Sequence, residues 1–538
     1  MEIAGNIIDI EGREIYQGVI TVTDGKISSI ERKETSSQNY ILPGFVDAHI
    51  HIESSMVVPY EFAKVALTHG TVATISDPHE IANVMGVEGV HYMIENAATA
   101  RLKFHFGAPS CVPATGFETA GATIGPEEVG KLLALDEISY LSEVMNYPGV
   151  LNADPEVMKK IKLAQEAGKP VDGHAPGLIG EQAKNYINAG ISTDHECFTI
   201  EEALDKLSHG MKIIIREGSA AKNYEALHPL IKSHPENLMF CSDDKHPDDL
   251  LEGHINQLVK RSLKLGYDLF DVLRIACVHP VHHYKMNVGL LQEEDPADFI
   301  VVDSVEQFNV LATYIDGTQV ADSSSVILPD TTHKVINNFG ITAKKPEDFE
   351  IAGESDRVPC IQALDGELIT EKVMVKLPLR NGLLTADSGS DVLKISVINR
   401  YHDAPVASAF IKNFGFTDGA IASTVAHDSH NIIVVGTTDI DMCRAANLLI
   451  NNKGGLSAVT GHSEKVIALP VAGLMSDRSC QEIGTAYAEI DQFVKQMGCH
   501  LTAPYMTLSF MALLVIPSIK LSDLGLFDAE SFSFISKV

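Results

Sequence analysis

The stretch Pro43-Gly44-Phe45-Val46-Asp47-Ala48-His49-Ile50-His51 decides how the chain folds. It is an apolar run that ends in two histidines one residue apart. On a β-strand, residues i and i+2 point to the same face. Two imidazoles at the end of one strand can therefore hold one metal ion. With 22 histidines in the chain, such a pair also arises by chance, so it needs company. Downstream the sequence alternates short β-like runs with helical patterns. Strands are predicted at 44–52, 72–76, 104–108, 139–143, 170–173, 191–193, 212–216 and 238–242, with helices such as 155–167 and 200–209 between them. Eight alternations over about 250 residues predict an α/β fold, a (β/α)8 barrel of the TIM type. A doubly wound sheet would place a glycine-rich phosphate loop after its first strand. This chain places histidines there.

The other candidate ligands fall at the ends of predicted strands, where barrel enzymes keep their chemistry. Glu143 ends the fourth strand, His174 follows the fifth, His195 follows the sixth and Asp243 ends the eighth. Taken singly, each also reads as a satisfied core polar group, and Asp243 and Asp244 as helix N-caps. Together with His49 and His51 they form a set of six at strand ends, and the set is read as a metal centre.

Around this block, residues 1–43 read as a small β-unit, with Asp24-Gly25 as a hairpin turn. The barrel is assigned to 44–290. A β-run returns at Phe299-Ile300-Val301-Val302, with a second turn at Asp316-Gly317, so 291–344 is expected to pair with 1–43 as a small β-sandwich flanking the barrel. Residues 345–538 read as a separate C-terminal α/β domain. Lys+Arg number 41 and Asp+Glu 72, a net charge of −31. Such a surface repels phosphate backbones, which argues against nucleic acid and for a small neutral substrate. The eight cysteines form no CxxC pair, which argues against a zinc ribbon or a disulfide framework and for a reducing cytoplasm. No signal peptide is read in 1–18. The apolar run 506–517 is too short to span a bilayer and is expected in the core, so no membrane partner is expected.

With those residues in view, the chain resembles the metal-dependent amidohydrolase superfamily over residues 1 to about 330, including Asp295-Pro296-Ala297-Asp298-Phe299-Ile300-Val301-Val302-Asp303. The resemblance implies that His49, His51 and Asp243 bind one metal, that His174 and His195 bind a second, and that a carboxylate bridges them. Many members bridge with a carboxylated lysine; this chain places Glu143 there. That departure is itself similar to the adenine deaminase family, bacterial type. So are His49-Ile-His-Ile-Glu-Ser-Ser-Met56, Ser76-Asp-Pro-His-Glu-Ile-Ala-Asn83, Arg216-Glu-Gly-Ser219, Ser242-Asp-Asp-Lys-His246 and Ala426-His-Asp-Ser-His-Asn431. The resemblance implies deamination of adenine to hypoxanthine and ammonia, in purine salvage and adenine catabolism. A metal-activated hydroxide would attack C6, with Asp243 as acid–base and Glu143 as bridge. Two divalent transition-metal ions are implied, Mn2+ or Fe2+, while Zn2+ suits the same donors. A homo-oligomer is expected. A cyclic amidase or an N-acetyl-sugar deacetylase on the same scaffold is the alternative. The zinc deaminases that act on nucleic acids need H-x-E with P-C-x-x-C, which the cysteines here do not offer.

Substrate contacts are expected from Glu53, His79, Arg216, Glu217 and Asp244. Arg216 and Glu217 read equally as a surface ion pair, and His79 as a histidine at a helix start. Residues 110–125, rich in Gly, Ala and Thr, read as a lid or as a connector. Last, His427, Asp428, Ser429, His430 and Asn431 crowd onto what reads as a tight turn between two strands. Either this turn closes over the barrel mouth or it stabilises only its own domain. A third metal there has no matching ligands nearby in sequence.

Overall fold

The computed structural model describes residues 1–323, 325–329 and 331–535. The first strands are β1 (Glu2–Asp9), β2 (Glu14–Thr23), β3 (Lys26–Arg32) and β4 (Tyr40–Pro43). Asp24 and Gly25 both take positive φ, 49° and 79°, which a two-residue hairpin with right-handed strand twist requires.

The barrel comes next: β5 (Phe45–Ile50), β6 (Thr71–Ser76), β7 (Lys103–Ala108), β8 (Ile138–Val144), β9 (Val171–Gly173), β10 (Thr193–Asp194), β11 (Lys212–Arg216) and β12 (Leu238–Cys241). Every residue of β5 and β6 is buried, as parallel strands covered on both faces must be. The strands pair in parallel as a run of five, β5 to β9, and a run of three, β10 to β12. Two seams close the circle. Ser192 N–H donates to the Val171 carbonyl at 2.9 Å, and Asp243 N–H to the His49 carbonyl at 2.9 Å. Asp47 ties the second seam further: it accepts from Ser242 N–H at 3.0 Å and faces His254 Nε2 at 2.8 Å. The helices between strands start where their caps say. Asp154 accepts from the Glu156 and Val157 amides ahead of Pro155–Glu166, and Thr199 from Glu202 N–H ahead of Ile200–Ser208.

After the barrel come β13 (Phe299–Val302), β14 (Val310–Ile315) and β15 (Thr318–Asp322). They join the first strands in one seven-stranded sheet, order β15-β14-β13-β4-β1-β2-β3. The sheet rolls up. Ile27 N–H reaches the Asp295 carbonyl at 3.0 Å and Ala297 N–H the Gly25 carbonyl at 2.8 Å, so β3 meets the segment entering β13. The flanking β-unit thus takes the form of one rolled sheet, built from both sides of the barrel.

The C-terminal part holds β16 (Arg357–Ala363), β17 (Thr370–Lys376), β18 (Val392–Ile398), β19 (Ala407–Lys412), β20 (Ala420–Ser423), β21 (Ile432–Gly436), β22 (Gly455–Thr460) and β23 (Ser463–Ala468). They form one sheet, order β17-β16-β19-β18-β21-β20-β22-β23, against which the helix Asp439–Asn452 packs. The apolar run 506–517 begins in a buried helix, Pro504–Ser509. No helix among the described residues is long and apolar enough to cross a membrane. This part sits hard against the barrel. A Cβ at Gly484, in the helix Cys480–Gln496, would lie 2.5 Å from Leu251 and 3.1 Å from the Pro247 carbonyl, so glycine is what lets that helix approach the barrel helix Pro247–Glu252. One expectation is corrected here. β20 and β21 do pair antiparallel, Ser423 opposite Ile433, but residues 424–431 make a long connection and not a tight turn. The loop has partners beyond its own sheet: Thr424 Oγ1 donates to Gly473, His427 N–H to the Ser509 carbonyl, and Asn431 to Thr119.

Candidate metal centre

Strand ends set the geometry. β5 delivers His49 and His51, β8 Glu143, and the exits of β9, β10 and β12 deliver His174, His195 and Asp243, all with under a tenth of their surface exposed. His49 and His51 face each other nitrogen to nitrogen, Nε2 to Nε2 at 3.1 Å. Asp243 Oδ1 lies 3.6 Å from the first and 3.4 Å from the second. Glu143 stands between two groups of donors. Its Oε1 is 3.5 Å from His51 Nε2, and its Oε2 is 2.8 Å from His174 Nδ1 and 3.1 Å from His195 Nε2. His195 also stacks on His49, ring centres 4.0 Å apart. Five of the six residues expected as ligands form two overlapping donor sets, His49–His195–Asp243 and Glu143–His174–His195, and the sixth, His51, groups with Asp243 and Asp244 and with Asp77, His79 and Glu143.

The donors fit divalent cations. Two buried imidazole nitrogens aimed at each other have one proton to share at best, and His49 Nδ1 and His174 Nε2 are buried without any partner. Burial holds the His49 pKa well below 6.5, with the neighbouring His195 and His51 adding to it, so it is neutral, the form that ligates. Burial would raise the acids, but Arg216, His51 and the other histidines hold Asp243 well below its usual range, and His174 and His195 do the same for Glu143. Four imidazoles around two ionised carboxylates suit first-row metals.

Of the expected substrate residues, Glu53 and His79 lie at the centre. Glu53 is in the short turn Ile52–Ser55; its Oε1 accepts from Ile81 N–H at 3.1 Å, and its buried Oε2 has no partner. Burial, then the charge of Glu80, pushes it up to about 7. His79 starts the helix His79–Met85, with Nδ1 3.3 Å from Asp77 and 3.6 Å from Glu143. Asp244 accepts from Ser54 Oγ at 2.5 Å, beside the centre. Arg216 ends β11 directly beside Asp243, and Glu217 follows it. Arg216 is 1% exposed. It donates to both oxygens of Glu196, to Asp243 Oδ2 at 2.6 Å and to the Ala221 carbonyl at 2.6 Å. Those bonds commit it to holding Asp243 from behind. Glu217 faces Arg261 at 3.1 Å and Lys222 at 3.7 Å. The helix-cap reading of Asp243 also falls: it sits at φ 51°, and the next helix begins only at Pro247.

Four further acids, Glu196, Asp77, Glu80 and Glu118, were not expected from the sequence. Glu196 is buried 3.6 Å from His174 and 3.5 Å from His195. Its only sequence signal is that it comes directly after His195. Glu80 is gripped by two histidines of the C-terminal loop: His427 Nδ1 at 2.5 Å on one oxygen and His430 Nε2 on the other. These three group as donors that could hold a cation, and a proton on His430 Nε2 would make them a clamp instead. His430 Nδ1 accepts from Ala426 N–H at 3.3 Å, which favours the proton on Nε2, pointing at Glu80. The cluster is then a hydrogen-bonded clamp. The segment 110–125 is likewise held by the C-terminal part. Thr119 N–H donates to Asp523 at 2.9 Å, Ser522 Oγ to the Phe117 carbonyl at 2.9 Å, and Phe117 sits among Phe527, Phe532 and Phe534.

Gly218 explains the Arg-Glu-Gly-Ser string. A Cβ there would lie 2.6 Å from the Asp244 carbonyl and 2.9 Å from that of Ser242. Gly218→Ala is expected to push the β12 exit, cost about 1–3 kcal/mol and loosen metal retention through Asp243. Thermal unfolding and metal content after dialysis measure this; a variant as stable and as metal-rich as the parent would remove the close approach as the reason for glycine.

Comparison with known proteins places the chain in a family. The Amidohydrolase family matches residues 40–320, and the Adenine deaminase C-terminal domain matches 367–533. The chain is 55% identical to the adenine deaminase of Sulfurovum sp. (strain NBC37-1), covering 99% of each chain. It is 51% identical to that of Salinibacter ruber, over 99% of this chain and 98% of the relative, and 49% identical to that of Borreliella burgdorferi, over 99% of both. A candidate metal-binding donor set at the C-terminal ends of barrel strands and likeness over nearly the whole length lead to one placement: the chain belongs to the adenine deaminase family of the amidohydrolases.

Proposed function

We propose that this protein hydrolyses adenine to hypoxanthine and ammonia at the metal centre. The observation that carries the reading is Glu143, whose two oxygens face separate histidine sets at 2.8–3.5 Å. His49, His51 and Asp243 would hold one cation, His174 and His195 another, and Glu143 both. Mn2+ or Fe2+ is favoured by the family likeness, and Zn2+ suits the same donors. A pair of such cations supplies a water made acidic at neutral pH and a sink for negative charge. The chain does the rest. Arg216 occupies Asp243 Oδ2 and leaves Oδ1 turned to the centre. As an ionised carboxylate, Asp243 takes a proton from the attacking water through Oδ1. It returns that proton to the departing amine, so that water and adenine leave as hypoxanthine and ammonia. Glu53 offers its unpartnered Oε2 to the purine edge, and Asp244 lies alongside. His79 packs its ring between Glu143 and the C-terminal loop.

We place this activity in purine salvage in the cytoplasm, in a homo-oligomer, with adenine as partner and neither nucleic acid nor membrane. The net charge of −31 and eight free, buried cysteines support that setting. Purified active protein is expected to carry two transition-metal ions per chain. Chelation should abolish adenine turnover, and Mn2+ or Fe2+ should restore it. Full activity without metal would refute the reading, as would turnover of dihydropyrimidines or N-acetyl sugars with none of adenine. Adenosine and AMP are expected to be poor substrates in the same assay, and adenosine turned over as fast as adenine would overturn the free-base assignment.

A further inference from the structure

Two acids near the centre have no role in that chemistry. Asp428, from the loop 424–431, is 2% exposed, and its Oδ2 has no hydrogen-bond partner. Glu118, from the segment after β7, is 7% exposed. Its Oε1 accepts from Thr115 at 3.3 Å and its carboxyl group from Ser429, while Oε2 has no partner. A buried carboxyl oxygen without a donor costs about 1–3 kcal/mol or more, so a fold that keeps two of them, each within reach of the other's charge, keeps them for something that brings donors.

Their place says which donors. His79 measures the distance: Nδ1 is 3.6 Å from Glu143 Oε1 and Nε2 is 3.9 Å from Asp428 Oδ1. Asp428 is therefore one imidazole ring away from the bridging carboxylate. Adenine has two kinds of N–H. The amino group is on C6, the atom that must meet the centre. The other is the single N–H of its imidazole ring, on the far side of the bicycle. Resting on the adenine reading above, we propose that Asp428 and Glu118 bind the N3/N9–H edge of adenine and so select the free base over purines substituted at N9.

The two acids suit that edge as a pair. Burial lifts Asp428 only to about 6, because His79 counteracts it, so it is ionised at neutral pH and accepts from N9–H. Burial, then the charge of Asp428, holds Glu118 well above 4.5, so it is protonated and donates to N3. A substituent at N9 removes the N–H and leaves the carboxylate without its donor. A site built to hydrogen-bond a substrate N–H rejects the analogue that lacks it far more strongly than a merely shaped pocket does. The clamp His427–Glu80–His430 fixes the loop on both sides of Asp428, which is how a C-terminal residue is held at a barrel site.

The test compares adenine with 9-methyladenine in the metal-loaded enzyme. The parent is expected to prefer adenine in kcat/KM by at least about 100-fold. In Asp428→Ala that ratio should fall at least tenfold, chiefly through a raised KM for adenine, while kcat/KM for 9-methyladenine stays or rises. Glu118→Ala, on a different segment, should lower kcat/KM for adenine and for 9-methyladenine alike, because both keep N3, and Asp428→Ser decides the matter of the ratio if Asp428→Ala does not fold. A ratio that stays at the parent value in a folded Asp428 variant, or an unchanged kcat/KM for both substrates in folded Glu118→Ala, overturns the proposal. A parent that does not turn over adenine at all overturns the underlying activity instead, so the two failures are told apart.

Discussion

Asp243→Asn is expected to lower kcat for adenine by about 10²–10⁴-fold, the usual worth of a positioned acid–base group. Asparagine keeps the shape of the side chain and the amide still packs under His49. It cannot take a proton from water, and it presents a dipole where His49 and His51 now face an anion at 3.6 and 3.4 Å. The fold should survive, because Arg216 keeps both bonds to Glu196 and so remains paired in its buried position. Circular dichroism and metal analysis separate lost chemistry from lost structure. Near-parental kcat in this variant would end the assignment of Asp243 as the proton carrier.

His427→Ala is expected to be the most damaging change outside the barrel. It leaves Glu80, 2% exposed, with one imidazole instead of two. Breaking a buried ion pair from one side costs about 3–5 kcal/mol, since the remaining charge stays desolvated. Unfolding temperature should drop, and kcat/KM for adenine should drop with it, because the same loop carries Asp428. The pH dependence is a separate signature. Glu80 from the barrel, with Asp244 and Asp428, faces His427; burial works against the charge, and these three acids outweigh it and lift its pKa to about 9. Its contribution is then complete below the ordinary value of 6.5 and is lost as pH rises from 6.5 through about 9. Burial alone would raise Glu80, but His427 and His430 hold it well below 4.5, so its share is present above 4.5 and is lost as pH falls through its lowered folded value. The parent should lose stability between about pH 6.5 and 9 relative to His427→Ala. Parallel stability curves for the two proteins across that range would show that the pair contributes nothing.

The barrel, its order of strands and the six side chains of the centre are legible in the chain alone. The reason is local. A parallel strand buried on both faces must be a short apolar run, so the runs at 45–50 and 71–76 announce themselves. Each such run leads out to the barrel's open end, which is where His49, His51, Glu143, His174, His195 and Asp243 fall. The hairpins at Asp24-Gly25 and Asp316-Gly317 are legible for the same kind of reason, since positive φ at both positions restricts the residue types. The partners of each polar group, by contrast, are settled only by packing. Arg216 reads in sequence as a substrate residue or a surface charge, and becomes the support of Asp243 only because β10 and β11 lie side by side and bring Glu196 to it. The loop 424–431 reads as a turn of its own domain. It becomes part of the barrel mouth because Glu80, some 347 positions earlier, accepts its His427. Glu118 and Asp428 carry no motif that marks them as a pair. Contacts across such separations are set by how two domains pack, and a pattern of period two or 3.6 along the chain holds no record of them.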